Sequence, residues 1–317
     1  MKENLAHMRW FLNVLFLFLF AAASLSSSEF VMPFPRPDLS KAHNPFSFIV
    51  YGDVQDVYEN GHRKLVNQME KESATFIVNT GDISPDDGRN YGQYFYPEIQ
   101  KLASRIPLFP APGNHDIEFL CETSRNPYRA FFKNAYSFLA EQPLNVHLSG
   151  SDNQRLWYSF RYATALFVAL DSNLLIDSGR YRETNLLPIY RNYADEQFRW
   201  IKDVLEKSDS DPSIKSKFIF FHHSPFISTR NTAAFGLFGG HEDDSQLLIN
   251  SQGSEPDGSQ IHLLDLFRRH RVNAVLTGHQ HYYERWRETI DEGNGSVHVL
   301  NWIVVGSGGV KPRRNRE

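Results

Sequence analysis

Cysteine is nearly absent from this chain of 317 residues, in which Cys121 is the only example. A single cysteine cannot form a disulfide within the chain, so stability has to come from a hydrophobic core. The formal net charge of −4 gives no general attraction to nucleic acid or to an anionic membrane. We therefore expect no stable nucleic-acid partner, and a phosphate-bearing ligand requires a local positive site.

The chain also lacks an apolar run of the roughly 20 residues that a membrane-spanning helix needs. Its most apolar stretch, WFLNVLFLFLFAAA, follows Lys2 and Arg9 and leads into the small residues AAASLSSS. This order of charged, apolar and small residues predicts a secretory signal peptide over residues 1–26. Export is the predicted localisation. The alternative is an uncleaved N-terminal anchor, which would bring the protein to a membrane.

The rest of the chain divides into a short linker and one domain. Residues 27–45 are rich in proline and polar residues, which is typical of an extended linker, and residues 46–312 are predicted to form a single folded domain. FSFIVYGD and ATFIVNTGD are short apolar runs closed by Gly-Asp, and the segment between them has helix-like spacing. The alternation of strand, helix and strand, which then recurs, predicts an α/β domain.

Polar clusters follow five of the predicted strands. Their members are Asp53 and Gln55, then Asp82, then Asn114, His115 and Asp116, then His222 and His223, and finally His279 and His281. Each cluster alone is an ordinary turn, or a pair of loop histidines that bond to backbone carbonyls. In open α/β sheets, however, ligands bind beyond the carboxyl ends of the strands, so the five clusters are expected to converge.

Taken together, the five clusters offer oxygen and nitrogen donors and no sulfur, which suits Mn, Fe or Zn. Two metal ions about 3.5–4 Å apart need a bridging carboxylate and roughly three further donors each, and the clusters supply that number. The sequence therefore predicts a dinuclear centre of divalent or mixed-valence metal ions.

The order of the motifs, Gly-Asp-x-Gln, Gly-Asp, Gly-Asn-His-Asp, His-x-Pro and Gly-His-x-His, resembles that of the calcineurin-like metallophosphoesterase superfamily. Within it, GHQHYYER, WYSFRYATALFVALDS and HHSP are most similar to the purple acid phosphatase group. The resemblance covers residues 47–309. It implies a fold of two packed mixed β-sheets flanked by helices, in four layers, with the dinuclear site at the edge of the sheets.

The resemblance also implies a role for each residue. Asp82 bridges the two metals, Asp53, Gln55 and His281 complete the first, and Asn114, His223 and His279 complete the second. His223 is chosen over His222 because it stands in His-x-Pro with Pro225, and strand alternation then turns His222 to the opposite side. His115 is suited to protonate the leaving group or to hold a phosphoryl oxygen, and Asp116 to orient its imidazole.

Two positions depart from the family pattern. Purple acid phosphatases have an iron-binding tyrosine where this chain has Pro85, so we expect no ferric tyrosinate and no purple colour. Gln55 replaces a histidine common in the wider superfamily. Its amide oxygen is a neutral and weaker donor, which shifts the expectation for the first metal toward Mn or Mg.

The implied function is hydrolysis of small phosphate monoesters, by direct attack of a hydroxide held between the metals. Hydrolysis of diesters or nucleotide pyrophosphates is an alternative that Gln55 favours, and a non-catalytic binding module of the same fold is another. Arg129, Arg161 and Arg285 are candidates to clamp a phosphate, although structural arginine is commoner. Residues 227–258 have loop composition and are long enough to form a lid.

Overall fold

The apolar runs of the sequence form the strands of two main sheets, with a short hairpin beside them. The computed structural model describes residues 30–54, 60–83, 91–117, 122–149, 155–180, 188–228, 248–254, 258–293 and 295–310. The described residues from Val31 onward belong to one compact unit.

The described strands are Phe48–Tyr51 (β1), Phe76–Asn79 (β2), Leu108–Pro110 (β3), Tyr158–Tyr162 (β4), Ala165–Ala169 (β5), Ser216–Phe220 (β6), Gln252–Ser254 (β7), Gln260–His262 (β8), Ala274–Thr277 (β9), Tyr283–Asp291 (β10) and Val297–Val305 (β11). The described α-helices are Gly61–Met69 (α1), Tyr96–Ala103 (α2), Glu122–Phe131 (α3), Lys133–Ala140 (α4), Ser172–Arg180 (α5), Pro188–Asp209 (α6) and Leu263–Arg269 (α7). A single 3-10 turn lies at Leu39–Lys41, a longer 3-10 segment with a kink at Asn145 spans Pro143–Leu148, and a π-helical turn at Tyr91–Phe95 precedes α2.

The strand order places the ends of several parallel strands at one edge. The smaller sheet has the order β1-β2-β3, and the larger has the order β10-β11-β9-β6-β5-β4. Strands β5, β6, β9 and β11 run parallel, and β4 and β10 are antiparallel edge strands. The predicted fold class is confirmed, except that the described strands of the smaller sheet are all parallel rather than mixed.

Phenylalanine side chains fill the space between the two main sheets. The ring of Phe48 lies 5.0 Å from that of Phe167, and the ring of Phe76 lies 5.1 Å from it, measured between centroids. On the neighbouring strands, the rings of Phe109 and Phe160 stack at 3.7 Å. These contacts join all three strands of the smaller sheet to β4 and β5, so the position of one sheet on the other is set by interlocking rings.

Strands β5 and β9 of the larger sheet are buried on both faces, which explains their continuous apolar runs. Along β5, Phe167 belongs to the core between the sheets, while Leu166 and Val168 belong to a second core. Helices α6 and α7 cover that second core, to which they contribute Phe198 and Phe267. A strand that alternates between two apolar layers reads as uniformly apolar in sequence.

The segment predicted as a linker is extended but lies against the domain. The Met32 backbone N–H donates to the Phe131 carbonyl at 2.8 Å, and the Met32 side chain is buried. The ring of Phe34 packs against those of Phe109 and Phe138. Residues 1–26, where the signal peptide is predicted, lie outside the described residues. Within the described ranges, no helix combines the length and apolar character that crossing a bilayer requires.

Replacing Phe76 with alanine is expected to lower the free energy of unfolding by about 3–5 kcal/mol, because the ring is fully buried between the sheets and leaves a cavity. Urea unfolding followed by circular dichroism measures the change. Val146→Ala is the control, since Val146 is 74% exposed and should shift the value by no more than about 0.5 kcal/mol. A loss below about 1 kcal/mol for Phe76→Ala would contradict the packing described for this core.

Candidate metal centre

The five polar clusters predicted from the sequence lie beyond the ends of β1, β2, β3, β6 and β9. Contacts between segments far apart in the chain bring them together. The His279 backbone N–H donates to both carboxylate oxygens of Asp53, at 2.9 and 3.0 Å. The His115 backbone N–H donates to Asp82 Oδ1 at 2.9 Å. Each bond links two of the clusters, and His222 joins the two pairs through its contacts with Asp82 and His279.

His222 is the residue on which the donor atoms converge. Its Nδ1 lies 2.9 Å from the Thr80 carbonyl oxygen, which can only accept, so Nδ1 carries the proton and donates. The other ring nitrogen, Nε2, lies 3.2 Å from Asp82 Oδ2 and 3.0 Å from Asn114 Oδ1. It also lies 3.1 Å from His279 Nδ1. A histidine that ligates a metal commonly donates its second ring nitrogen to a carbonyl in this way.

The spacing of these donors fits a metal ion. Two ligand atoms bound at right angles to one ion at about 2.1 Å lie about 3 Å apart, and the distances around His222 Nε2 are close to this value. Ligand atoms lie within 4.8 Å of one another in each of two sets, His222 with His223 and His279, and Asp53 with Asp82 and His222. Carboxylate, amide and imidazole donors together suit Mn, Fe or Zn.

The charges of the site also fit a cation. Burial raises the pKa of the Asp53 carboxyl to about 8, and the adjacent His222 offsets this only in part. Burial alone would raise the pKa of Asp82 as well, but His222 outweighs it and holds that pKa below its usual range. Burial would lower the pKa of His222, but Asp82 raises it to about 9. Two buried carboxylates thus share one positive partner, and a divalent cation would let both ionise.

Three predicted ligands have left-handed backbone conformations, which are uncommon outside glycine. The φ angles are 60° for Asp53, 55° for Asp82 and 68° for His279. Such conformations cost free energy and cluster at functional sites, where the surrounding structure holds them. They turn the chain sharply after each strand, which brings these side chains to the common site.

Close backbone approach needs glycine at Gly113 and Gly278. A Cβ atom on Gly113 would lie 2.1 Å from Asp82 Oδ1, and one on Gly278 would lie 2.4 Å from Asp53 Oδ2. Both distances are too short for any side chain, so these motif glycines leave room for the two carboxylates.

Asp116 supports the turn that carries Asp82. Its carboxylate is fully buried and accepts hydrogen bonds from the backbone N–H groups of Asp82, Ile83 and Gly113, at 2.9, 3.0 and 2.9 Å. Tyr91 donates its hydroxyl to the same carboxylate at 3.2 Å. Burial and the nearby Asp82 charge raise the pKa of Asp116 to about 6. These contacts join the turns after β2 and β3, and the predicted role of Asp116 in orienting His115 stays a prediction.

A sequence model of the calcineurin-like phosphoesterase family matches residues 46–283, which is most of the chain. The chain belongs to the calcineurin-like phosphoesterase family. The membership predicted from the motifs is therefore confirmed, and the predicted enzyme class, a metal-dependent phosphoric ester hydrolase, agrees with it.

Relatives of this calcineurin-like phosphoesterase include acid phosphatases from animals and plants. Human acid phosphatase type 7 is 21% identical over 284 residues, which are 86% of this chain and 56% of the relative. Fe(3+)-Zn(2+) purple acid phosphatase 12 of Arabidopsis thaliana is 20% identical over 301 residues, which are 88% of this chain and 53% of the relative. The chain thus spans about half the length of these curated relatives. The structure of purple acid phosphatase PPD1 from yellow lupin shares the fold, with a TM-score of 0.55, 18% identity, and coverage of 89% of this chain and 47% of that one.

Most of the site residues predicted for this family member lie together. Asp53, Asp82, Asn114 and His279 are linked by the contacts above, and His281 Nε2 lies 3.7 Å from Asp53 Oδ1. His115 is exposed at the rim of the site. Gln55 and Pro85 lie outside the described residues, as does most of the predicted lid at 227–258.

The predicted orientation of His222 is wrong. Its ring turns toward Asp82 and Asn114, not to the opposite side of the strand. Strand β6 ends at Phe220, so the two-residue alternation of a strand does not extend to the histidines. Both rings lie beside His279, with centroids 4.9 Å away for His222 and 4.5 Å away for His223. His223 Nδ1 lies 2.8 Å from Ser172 Oγ.

The three candidate arginines have structural partners. Arg129 donates to backbone carbonyls, including that of Leu148, at 2.8 Å. Arg161 pairs with Asp211 at 3.1 Å, and Arg285 donates to Asn301 Oδ1 at 2.7 Å. These contacts favour the structural interpretation of all three side chains.

Proposed function

We propose that this protein is a dinuclear metal-dependent phosphatase that hydrolyses phosphate monoesters of small molecules. The observation that carries the proposal is the convergence of Asp82, Asn114 and His279 on His222 Nε2, at distances typical of ligands that share one ion. Asp82 also belongs to the set formed with Asp53 and His222, which supports its proposed role as the carboxylate shared by two groups of donors.

The proposed ligands form two groups around Asp82. One group is Asp53, Gln55 and His281, and the other is Asn114, His222 and His279. In this assignment His222 takes the place first predicted for His223. The reason is that the Nε2 atom of His222 lies 3.2 Å from Asp82 Oδ2 and 3.0 Å from Asn114 Oδ1. His223 also belongs to the donor set with His222 and His279, so it is the alternative ligand at this position. Mn, Fe or Zn suits such donors.

Two metal ions among these donors would supply an activated water and offset the charge on the phosphoryl oxygens. The residues supply the rest. Asp53 and Asp82 are buried, which suits them to bind the metal ions and keeps their negative charge away from an approaching phosphate. His115 is exposed, and its backbone N–H is fixed on Asp82 Oδ1. These observations support the proposal that its imidazole donates a proton to the leaving oxygen of a bound ester.

Replacing His115 with alanine is expected to lower kcat by about 10²–10⁴-fold, the usual contribution of a positioned general acid. Metal content should stay at the wild-type value, because the bond from residue 115 to Asp82 comes from the backbone and survives the change. Steady-state kinetics and metal analysis of the same sample measure both quantities. Loss of the metals in His115→Ala would show that His115 is a ligand.

Gln55 favours a second activity, the hydrolysis of diesters or nucleotide pyrophosphates, because its amide is a weaker donor than histidine. Mn-reconstituted protein should be assayed with p-nitrophenyl phosphate, bis(p-nitrophenyl) phosphate and ADP-ribose. The monoester is expected to turn over fastest, and EDTA should abolish the activity until Mn²⁺ is restored. No cleavage of the monoester by metal-loaded protein would refute the proposed function, and faster cleavage of ADP-ribose would establish the second one.

A further inference from the structure

A sixth polar cluster lies beside the metal centre and was not among the five predicted from the sequence. It consists of Asp171, Ser172 and Asn173, which follow the parallel strand β5 and begin helix α5. All three side chains are buried. Asp171 Oδ1 accepts the Asn173 backbone N–H at 3.2 Å, which is the usual contact of a helix N-cap. We call Asp171–Asn173 the β5 clamp.

Ser172 binds the turn that carries the two site histidines. Its Oγ accepts the His223 backbone N–H at 3.2 Å and lies 2.8 Å from His223 Nδ1. The same turn also accepts a bond from across the sheet, since the His222 carbonyl accepts the Gly278 backbone N–H at 2.8 Å. One serine oxygen therefore fixes both the main chain and the imidazole of His223, next to His222.

Asn173 reaches the turn that carries Asn114. Its Nδ2 lies 3.3 Å from the Gly113 carbonyl oxygen and 3.1 Å from Asp171 Oδ1. A helix start requires only the Asp171 cap, yet Ser172 and Asn173 direct their polar groups to two other segments. Those segments hold His222 and Asn114, whose donor atoms lie 3.0 Å apart.

The clamp is anchored from two further directions. Arg125 Nη1 pairs with Asp171 Oδ2 at 2.5 Å, and both side chains are almost completely buried. Gln197 of α6 binds both sides of the Asp171 backbone, because its Oε1 accepts the N–H at 2.7 Å and its Nε2 donates to the carbonyl at 3.1 Å. Buried polar groups held by several hydrogen bonds of this kind favour one conformation.

Resting on the proposed function, we propose that the β5 clamp is a positioning element for one of the two metal ions. Ser172 and Asn173 hold the turns of His222 and Asn114 at the separation that places both donors on the same ion. The Asp53 and His281 side of the site is not contacted by the clamp in the described bonds. Loosening the clamp should therefore lower the affinity for one ion selectively, whereas a general loss of packing would lower the affinity for both.

The test compares Ser172→Ala and Asn173→Ala with wild type by titration of metal-free protein with Mn²⁺, with free Mn²⁺ read by EPR. In each variant, one of two ions is expected to bind about 10–100-fold more weakly, the usual effect of losing a group that orients a ligand, while the other keeps its affinity. The value of kcat should fall while KM stays within a few-fold of wild type. Ser208→Ala is the matched control, because Ser208 is also buried and its hydroxyl donates to a backbone carbonyl in α6, at 2.7 Å.

The outcomes separate the two proposals. Wild-type protein that binds no Mn²⁺ would overturn the proposed function itself. If wild type binds two ions and both clamp variants bind them with unchanged affinity, the clamp is not a positioning element. An equal loss of affinity for both ions, together with a lowered melting temperature, would show a merely structural role and would also overturn the inference.

Discussion

Asp82→Ala is expected to lose both metal ions and to lower kcat/KM for a phosphate monoester by at least about 10³-fold, since the ions supply several kcal/mol of transition-state stabilisation. The effect should exceed that of any other single change. Asp82 Oδ2 lies 3.2 Å from His222 Nε2, and the same carboxylate belongs to the donor set that includes Asp53. Its removal therefore takes one ligand from each group.

Metal analysis after Mn²⁺ reconstitution, together with steady-state kinetics, measures this result. Asp203→Ala is the control, because Asp203 is a half-exposed member of a surface ion pair with Lys207 on α6. That variant should keep two ions and wild-type kinetics. An Asp82→Ala protein that still binds two ions would show that the carboxylate is not shared between them.

The second large effect distinguishes the two adjacent histidines. His222→Ala is expected to lose one metal ion and to lower kcat/KM by at least about 10³-fold, because its Nε2 is the atom on which Asn114, Asp82 and His279 converge. His223→Ala should keep both ions and lose no more than about 10–100-fold in rate. The Ser172 contact to the backbone of residue 223 remains in that variant.

Metal stoichiometry is the decisive readout for this pair. Two bound ions in His222→Ala, with one lost in His223→Ala, would restore the assignment made from the His-x-Pro pattern alone. Both variants are expected to fold, which thermal unfolding should verify, since each removes an imidazole that is buried among polar groups and does not belong to the phenylalanine core between the sheets.

The position of most ligands could be predicted from sequence because it follows from a general property of parallel sheets. Asp53 and Asp82 follow strands of the smaller sheet within three residues, His279 follows a strand of the larger sheet, and the carboxyl ends of parallel strands meet at one edge within each sheet. The meeting of the two edges depends on how the sheets pack, which the family resemblance implies and the strand pattern alone does not. The left-handed backbone at each of these residues was not predictable from an Asp or His alone, because that conformation is held by contacts with other strands.

The errors arise where local periodicity ends. His222 was placed on the wrong side because strand alternation was extended past Phe220, the last residue of β6. Ser172 and Asn173 were overlooked because their partners lie on other segments, 51 residues away at His223 in the case of Ser172. Strand β10 gives a weak signal in the sequence, since YERWRETID mixes charged and apolar residues on an edge strand.

A crystal structure of the Mn²⁺-loaded protein, with anomalous difference maps, would test the dinuclear centre most directly. Two peaks are expected. One should contact Asp53 and Asp82, and the other should contact Asp82, Asn114, His222 and His279. No peak among these side chains, or a single peak that Asp82 does not contact, would contradict the proposed site.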